Sequence, residues 1–241
     1  MRKIHVLTCK EEIDSSRIMH CTAVIIDVLL ATSTIAATLY HGAKEVIPVM
    51  DEEEAMQLVC TLSKGSYILS GEKDGYPPEG FLRPDPVSLV QTDIKGKTLI
   101  FATTNGTVAI KKATAAKAVY ISSLLNGPAV AQQITNNSDG TSVVIVCGGS
   151  RGRFALEDMI GAGYLVSELL EVDHEDWKLS DTALAAVQLY QHCSYSIEQA
   201  LQQSETGEFL SKLKYHEAIR YVARLGVLPV APRLQDSRLI I

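Results

Sequence analysis

The chain has 241 residues, with 22 Lys and Arg against 28 Asp and Glu, so its formal net charge is −6. Its composition, 46% hydrophobic and 21% charged, excludes a disordered chain, a collagen-like fibre and a disulfide scaffold. The acidic balance argues against nucleic-acid binding, which depends on a basic surface. An anionic substrate would therefore need local positive groups or a metal ion at its site.

The cysteines and the apolar runs indicate the compartment. Five cysteines, none in a C-x-x-C spacing, predict neither a zinc site nor disulfides, and favour a reducing environment. The apolar run at 4–7 is followed at once by charged residues, unlike a signal peptide. Because no apolar run reaches ~18–20 residues, no membrane span is expected. We therefore expect a soluble, cytoplasmic protein.

The first 147 residues alternate between strand and helix patterns. Mostly apolar segments predict strands at 3–8, 22–28, 45–49, 67–70, 97–102, 117–121 and 142–147. Helices are expected at 32–41 and 51–63, between the fifth strand and about residue 114, and after 126–128. A loop rich in Gly and Pro spans 71–86. This alternation favours a mainly parallel sheet with helices on both faces.

From about residue 155 the pattern is almost entirely helical. Helices are expected roughly at 155–171, 180–203, 207–213 and 216–224, followed by a last strand at 227–230. The tail beyond residue 232 receives no assignment. Since no repeat, low-complexity segment or linker separates the two parts, we expect one α/β domain over 1–241, with a helix-rich part at about 155–225.

Ligands of open α/β sheets bind beyond the carboxyl ends of the strands, and four loops there are unusual. In the first, Asp27 ends an apolar strand, and a run of hydroxyl residues follows at 32–34. A buried carboxylate is costly unless it is paired or bound to a metal ion. The alternative is that Asp27 only caps the next helix or pairs with a lysine.

The second and third loops combine glycine with polar residues. SGEKDG at 70–75 puts Glu72 between two glycines, which allow close backbone approach, but it also resembles an ordinary turn. TTNGT at 103–107 follows a buried strand, and its Asn-Gly pair and threonines suit an anion. The alternative is a well-capped helix start.

The fourth loop, CGGSRGRFALED at 147–158, has the richest chemistry. Arg151 and Arg153 offer planar, bidentate partners for a phosphate, sulfonate or carboxylate. Glu157 and Asp158 follow, and such hard oxygen ligands suit Mg²⁺. The alternative is solvated arginines with acids that complement a helix dipole. The four loops together predict a site for an anion and a divalent metal ion.

Five stretches, in this order, resemble the 2-phosphosulfolactate phosphatase (ComB-like) family. They are IIDVLLATSTIAATLYHGAKEVIPV at 25–49, SGEKDG at 70–75, TTNGT at 103–107, SSLLNGPAVA at 122–131 and CGGSRGRFALEDMIGAG at 147–163. The ordered set is specific, although each motif alone is weak. The matches cover most of 22–163, whereas the helical second half resembles the family only in general layout.

The resemblance implies a three-layer α/β/α fold with a mixed sheet and a Mg²⁺-dependent hydrolase. The expected reaction converts 2-phospho-3-sulfolactate, a small anionic phosphorylated substrate, to sulfolactate and inorganic phosphate. A homodimer would be compatible with the family. The resemblance makes two sets of residues candidates. For metal binding or general acid and base chemistry they are Asp27, Glu72, Glu157 and Asp158. For phosphate donors they are Thr32, Ser33, Thr104, Asn105, Gly106 and Thr107.

The expected mechanism is metal-assisted hydrolysis of a phosphomonoester. Asp27 and Asp158 are the expected Mg²⁺ ligands, and Glu157 or Glu72 would orient or deprotonate the water. The two arginines at 151–153 and the backbone of the TTNGT turn would hold the phosphate and a second anion. Direct attack by water is preferred, because the D-x-D-x-T/V motif of haloacid-type phosphatases is absent around Asp27.

Two departures from the family pattern leave alternatives open. Leu30 stands where the family usually has Arg, and GFLRPDP at 80–86 replaces the usual GFDLGNSP. We hypothesise that Arg83 supplies the missing charge from another direction. The alternatives are a divergent member acting on another small phosphorylated acid, or a non-catalytic anion-binding protein. A nucleotide-binding enzyme is less favoured, since both G-x-G-x-x-G and a Walker loop are absent.

Overall fold

The computed structural model describes residues 2–137, 140–173, 177–194 and 196–241. Within these ranges ten strands form one sheet, in the order β4-β5-β3-β10-β9-β6-β2-β7-β1-β8. The strands are β1 Lys3–Leu7, β2 Thr22–Ile26, β3 Glu45–Val49, β4 Tyr67–Gly71, β5 Thr98–Ala102, β6 Ala118–Ser122, β7 Val143–Cys147, β8 Lys178–Leu179, β9 Arg233–Gln235 and β10 Arg238–Ile240. The first seven confirm the predicted strands to within two residues at each end.

Eleven α-helices lie between and after the strands of the described ranges. They are α1 Ser15–Ile18, α2 Ala31–Tyr40, α3 Glu52–Val59, α4 Pro86–Val90, α5 Gly106–Lys112, α6 Gly127–Asn136, α7 Leu156–Val172, α8 Asp181–Cys193, α9 Ile197–Gln203, α10 Glu205–Lys212 and α11 His216–Val222. Two short 3₁₀ helices lie at Lys10–Glu12 and Ala113–Ala115. No helix in the described part of the chain is both long and apolar enough to cross a lipid bilayer.

The sheet consists of two parallel blocks joined by a C-terminal hairpin. β4, β5 and β3 pair in parallel, and so do β6, β2, β7, β1 and β8. The hairpin β9–β10 lies between the blocks, with Leu239 opposite Val46 and Arg233 opposite Tyr120, both antiparallel. The mixed, mainly parallel sheet is therefore confirmed, and its antiparallel pairs all come from the hairpin.

Helices cover both faces of the sheet, as the alternating side chains of β2 show. Ile26 packs in one core cluster with α7 residues such as Leu165. Ile25 points to the opposite face and packs in a second cluster with Ile35 of α2 and Ile110 of α5. Burial on both faces explains why the strand has a continuous apolar run. The helix–sheet–helix layering expected from the resemblance is present.

Two predictions in the second half were wrong. The expected helix at 180–203 is two helices, because Ser196 leaves helical backbone with φ −153° and ψ 60° immediately before α9. The expected strand at 227–230 is not a strand. Its backbone bonds to the loop before α6 instead, with Leu228 N donating to Leu125 O at 2.8 Å.

Candidate active site

A cavity of about 280 Å³ collects residues from all four loops singled out in the sequence. Of the predicted site residues, those that line it are Asp27, Glu72, Thr104, Asn105, Arg151, Glu157 and Asp158. Helix α10 and the residue before α11 complete the wall with Glu205, Thr206, Phe209, Leu210 and Tyr215. The first set was expected from the loops, whereas the second set was missed.

Asp27 is held between the end of β2 and the start of α2, and 8% of its surface is exposed. Its Oδ1 accepts a hydrogen bond from Ala31 N at 3.3 Å, so its side chain interacts with the first turn of the helix. The Thr32 hydroxyl donates to the Asp27 carbonyl at 2.8 Å and accepts from Asp27 N at 3.1 Å. These bonds fix the backbone of the aspartate and leave its Oδ2 facing Gly106 and Gly148.

The two glycines keep side chains away from the Asp27 carboxylate. A Cβ on Gly106 would lie 2.9 Å from Asp27 Oδ2 and would overlap the Ala31 methyl group. A Cβ on Gly148 would lie 3.2 Å from the same oxygen. The close approach of three chain segments to one carboxylate therefore requires glycine at 106 and leaves little space for a side chain at 148.

We expect Gly106→Ala to lower the free energy of unfolding by about 1–3 kcal/mol, because the added methyl group overpacks a filled site. Urea unfolding followed by circular dichroism measures this change. Combining it with Ala31→Gly removes the methyl that Gly106→Ala overlaps, so the double variant should recover part of the loss. Wild-type stability in Gly106→Ala would contradict the packing described here.

Asp158 lies in the first turn of α7 and connects two loops. Its Oδ1 accepts from Val28 N and its Oδ2 accepts from Gly149 N, both at 2.9 Å. Glu157 precedes it, is 3% exposed and also lines the cavity. Three buried carboxylates from two loops, those of Asp27, Glu157 and Asp158, therefore lie at one wall of the cavity.

Burial and mutual repulsion disfavour the charged forms of these groups. Burial, with the charges of Glu72 and Glu157, raises the pKa of Asp27 from its ordinary 3.8 to about 7. Burial, with the charges of Asp27 and Glu157, raises the pKa of Asp158 well above its ordinary value. A cation among these carboxylates would relieve the repulsion.

Glu72 connects the second and third loops rather than extending freely into the cavity. Its Oε1 accepts from Thr104 N at 2.6 Å, and its Oε2 accepts from Gly75 N at 2.7 Å and from the Thr104 hydroxyl at 3.0 Å. Both carboxylate oxygens thus have protein donors. This geometry fits a residue that orders the two loops.

Several predicted phosphate donors lie behind the cavity wall. The Thr32 hydroxyl bonds to Asp27, and Ser33 Oγ donates to Val28 O at 2.8 Å. Thr103 N donates to the Thr107 hydroxyl at 3.0 Å, and Thr107 N donates to the Thr103 hydroxyl at 3.1 Å. Gly106 is buried against Asp27. In this structure these residues order the loops, while Thr104 and Asn105 reach the cavity.

The chain matches one known protein family over most of its length. The sequence profile of the 2-phosphosulpholactate phosphatase family matches residues 7–237. The chain belongs to the 2-phosphosulfolactate phosphatase family.

Individual relatives cover nearly the whole chain and carry the same name, "Probable 2-phosphosulfolactate phosphatase". The Clostridium beijerinckii protein is 32% identical over 238 residues, which is 98% of both chains. The Caldanaerobacter subterraneus subsp. tengcongensis protein is 36% identical over 215 residues, or 89% of this chain and 88% of the relative. The Clostridium acetobutylicum protein is 33% identical over 240 residues, or 99% of this chain and all of the relative.

The departures from the family pattern lie at the cavity. Leu30, at the position where the family usually has Arg, lines the wall, and its peptide bond with Leu29 is cis. Arg83 stacks on the ring of Tyr215, 5.1 Å from its centroid, and Tyr215 lines the cavity. Arg83 is therefore held beside the cavity wall by an aromatic ring, and its compensation for Leu30 stays a hypothesis.

The two arginines of the fourth loop have different positions. Arg151 has a left-handed backbone, φ 54°, and lines the cavity. Arg153 pairs with Glu205 of α10 at 3.2 Å, and both side chains are largely exposed. Of the two cations predicted to bind the substrate, Arg151 is the one placed at the cavity, whereas Arg153 connects the loop to α10.

Two carboxylates at this cavity, those of Asp27 and Asp158, are the ones that could hold a metal ion. Across the described ranges, no group of three or more His, Cys, Asp or Glu side chains is arranged to hold a metal ion. Mg²⁺, however, is usually held by one or two carboxylates together with water and substrate phosphate oxygens. Asp27 and Asp158 can supply these two carboxylates, and Gly106 and Gly148 keep side chains away from Asp27 Oδ2.

Proposed function

We propose that this chain is a Mg²⁺-dependent phosphatase that hydrolyses 2-phospho-3-sulfolactate to sulfolactate and inorganic phosphate. The observation that carries the proposal is the pair of buried carboxylates, Asp27 and Asp158, at a cavity lined by the loops that match the family. The names of the relatives support the phosphatase activity. The metal requirement rests on the repulsion between the carboxylates, which a divalent cation would offset.

Asp27 and Asp158 would hold the metal ion. Bound Mg²⁺ supplies positive charge that offsets the charge of the phosphate group and increases the acidity of bound water. The backbone donors on Asp158 and the Ala31 donor on Asp27 orient both carboxylates before substrate binds. These groups therefore need little reorganisation during the reaction.

Glu157 is the better candidate for the general base. It is buried, lines the cavity and adjoins Asp158, whereas Glu72 accepts three hydrogen bonds that hold the second and third loops together. In the proposed step a water oxygen attacks phosphorus and the bond from phosphorus to the ester oxygen breaks. Glu157 takes the proton of the water, and solvent protonates the leaving oxygen of sulfolactate. Arg151 lines the cavity and would bind a charged group of the substrate.

The decisive experiment measures phosphate release from 2-phosphosulfolactate with Mg²⁺ and with EDTA. We expect release with Mg²⁺, loss of release on adding EDTA, and recovery when excess Mg²⁺ is restored. Undiminished release in EDTA would contradict the metal requirement. A parallel assay should include phospholactate and phosphoglycerate, which lack the sulfonate.

Leu30 favours one alternative, a member of the family that acts on another small phosphorylated acid. An apolar side chain at this wall removes a cation that would bind a second anionic group. Faster release from phospholactate than from 2-phosphosulfolactate would support that alternative. Binding of phosphate without release from any of these substrates would instead indicate a non-catalytic anion-binding protein.

A further inference from the structure

Lys10 is a buried cation next to the cavity that the mechanism does not yet use. It lies in the 3₁₀ helix after β1, with 6% of its surface exposed. Its Nζ donates to Asn105 Oδ1 at 2.8 Å, and it lies 3.1 Å from Glu11 Oε1 and 3.5 Å from Gly148 O. An ammonium group has three donors, and here each has an acceptor on the protein. Lys10 is therefore held in place between the loops that follow β5 and β7.

The contact with Lys10 fixes the orientation of the Asn105 side-chain amide. An ammonium group only donates, so the amide must turn its oxygen toward Lys10. Its Nδ2 then points away from the lysine, and Asn105 lines the cavity. No acceptor in the described part of the chain is bonded to this NH₂ group. Two N–H donors are thus left for a ligand.

We propose that Lys10 is a positioning residue that orients the Asn105 amide so that its NH₂ group donates to a phosphate oxygen in the cavity. The inference rests on the proposed function only in that it takes phosphate as the ligand. Direct binding of phosphate by Lys10 fits less well, because its donors are engaged and it does not line the cavity. Lys10 thus acts through Asn105.

Without the ammonium group of Lys10, the orientation of the Asn105 amide should no longer be fixed. In Lys10→Met, a side chain of similar length without donors, the Asn105 amide can rotate and present its oxygen to the anion. We expect inorganic phosphate to bind about tenfold more weakly, the effect of losing one hydrogen bond to a charged group. Asn105→Ala removes the same donor and should weaken binding by a similar factor.

A double-mutant cycle separates positioning from direct attraction. The dissociation constant of inorganic phosphate is measured by titration calorimetry for the wild type, Lys10→Met, Asn105→Ala and the double variant. If Lys10 acts through Asn105, the double variant binds no more weakly than Asn105→Ala alone. A further loss of about tenfold in the double variant would overturn the proposal, as would wild-type affinity in Lys10→Met. Lys44→Met is the matched control, since it removes the same charge from an exposed side chain.

A second measurement keeps the proposal testable if Lys10→Met does not fold. The side-chain NH₂ signals of Asn105 are identified in ¹⁵N-labelled protein by their absence in Asn105→Ala. Phosphate should shift these signals in the wild-type protein. Unshifted signals at saturating phosphate, or no binding of phosphate, would overturn the proposal.

Turnover of 2-phosphosulfolactate is assayed separately. Wild-type protein that binds phosphate in this way but does not hydrolyse 2-phosphosulfolactate would contradict the proposed function and leave this inference standing.

Discussion

Asp27→Asn should lower Mg²⁺-dependent phosphate release from 2-phosphosulfolactate by at least about a thousandfold. The amide has nearly the same shape as the carboxylate but carries no negative charge for the metal ion. Loss of one of two charged ligands removes several kcal/mol of stabilisation from a transition state that depends on the bound cation. Phosphate release at saturating Mg²⁺ measures the effect.

The fold should survive this substitution, so that the loss can be assigned to chemistry. Asparagine keeps an oxygen that can accept from Ala31 N, and its NH₂ group replaces Oδ2 beside Gly106 and Gly148. Removing a buried charge also relieves repulsion from the neighbouring glutamates. We therefore expect an unchanged or higher melting temperature. Asp93→Asn, at a side chain that is 85% exposed, is the matched control. Near-normal turnover in Asp27→Asn would exclude the assignment of Asp27.

Much of the first half of the fold could be predicted because its strands are buried on both faces. Such strands are continuous apolar runs, and β3 at Glu45–Val49 coincides with its prediction. The loops of the site were also visible locally, because glycines and charges follow these runs at Asp27, Glu72 and Gly148. An abrupt change from apolar residues to glycines and charged residues at the end of a buried strand can be recognised in a single sequence.

The C-terminal hairpin could not be predicted by the same means. Its strands have three residues each, too few for an alternation pattern to emerge, and three of the six residues are polar or charged. Its turn, Asp236–Ser237, has positive φ at both residues without the Asn-Gly or Asp-Gly sequence typical of such turns. Its position follows from pairing with β3 and β6, which are distant in sequence.

The parts of the site that were not predicted also depend on contacts between residues that are distant in sequence. Phe209 of α10 lines the cavity and packs edge-to-face on Tyr76, yet its local sequence is that of an ordinary amphipathic helix. Lys10 is separated from Asn105 by 95 residues. A buried lysine beside a polar loop gives no local signal, because in sequence it resembles any solvated lysine. Packing likewise decides which threonines reach the cavity. The Thr32 hydroxyl donates to the Asp27 carbonyl behind the cavity wall, whereas Thr104 lines the cavity and its hydroxyl donates to Glu72.

In the metal-free protein, the ionisation of Asp27 should lower stability as pH rises from about 4 to about 7. The folded chain holds the Asp27 proton more tightly than the unfolded chain does, because burial and then the neighbouring carboxylates raise its pKa to about 7. Between the two pKa values the folded state binds more protons, so the free energy of unfolding falls as pH rises. The raised pKa of Asp158 acts in the same direction.

The contribution of Asp27 is isolated by comparing wild type with Asp27→Asn in EDTA, using urea unfolding at pH 5, 6, 7 and 8. Groups with opposite behaviour, such as His5, whose pKa is lowered by burial and by the charges of Lys3 and Arg17, are common to both proteins and cancel. The wild type should therefore lose more stability than the variant up to about pH 7, and the difference should level off above it. Parallel curves would contradict the charge repulsion described at this site. Adding Mg²⁺ at pH 8 should stabilise the wild type more than Asp27→Asn. A ligand that binds only the folded state raises the stability of that state, and the variant lacks one of the negative charges that would bind the metal ion.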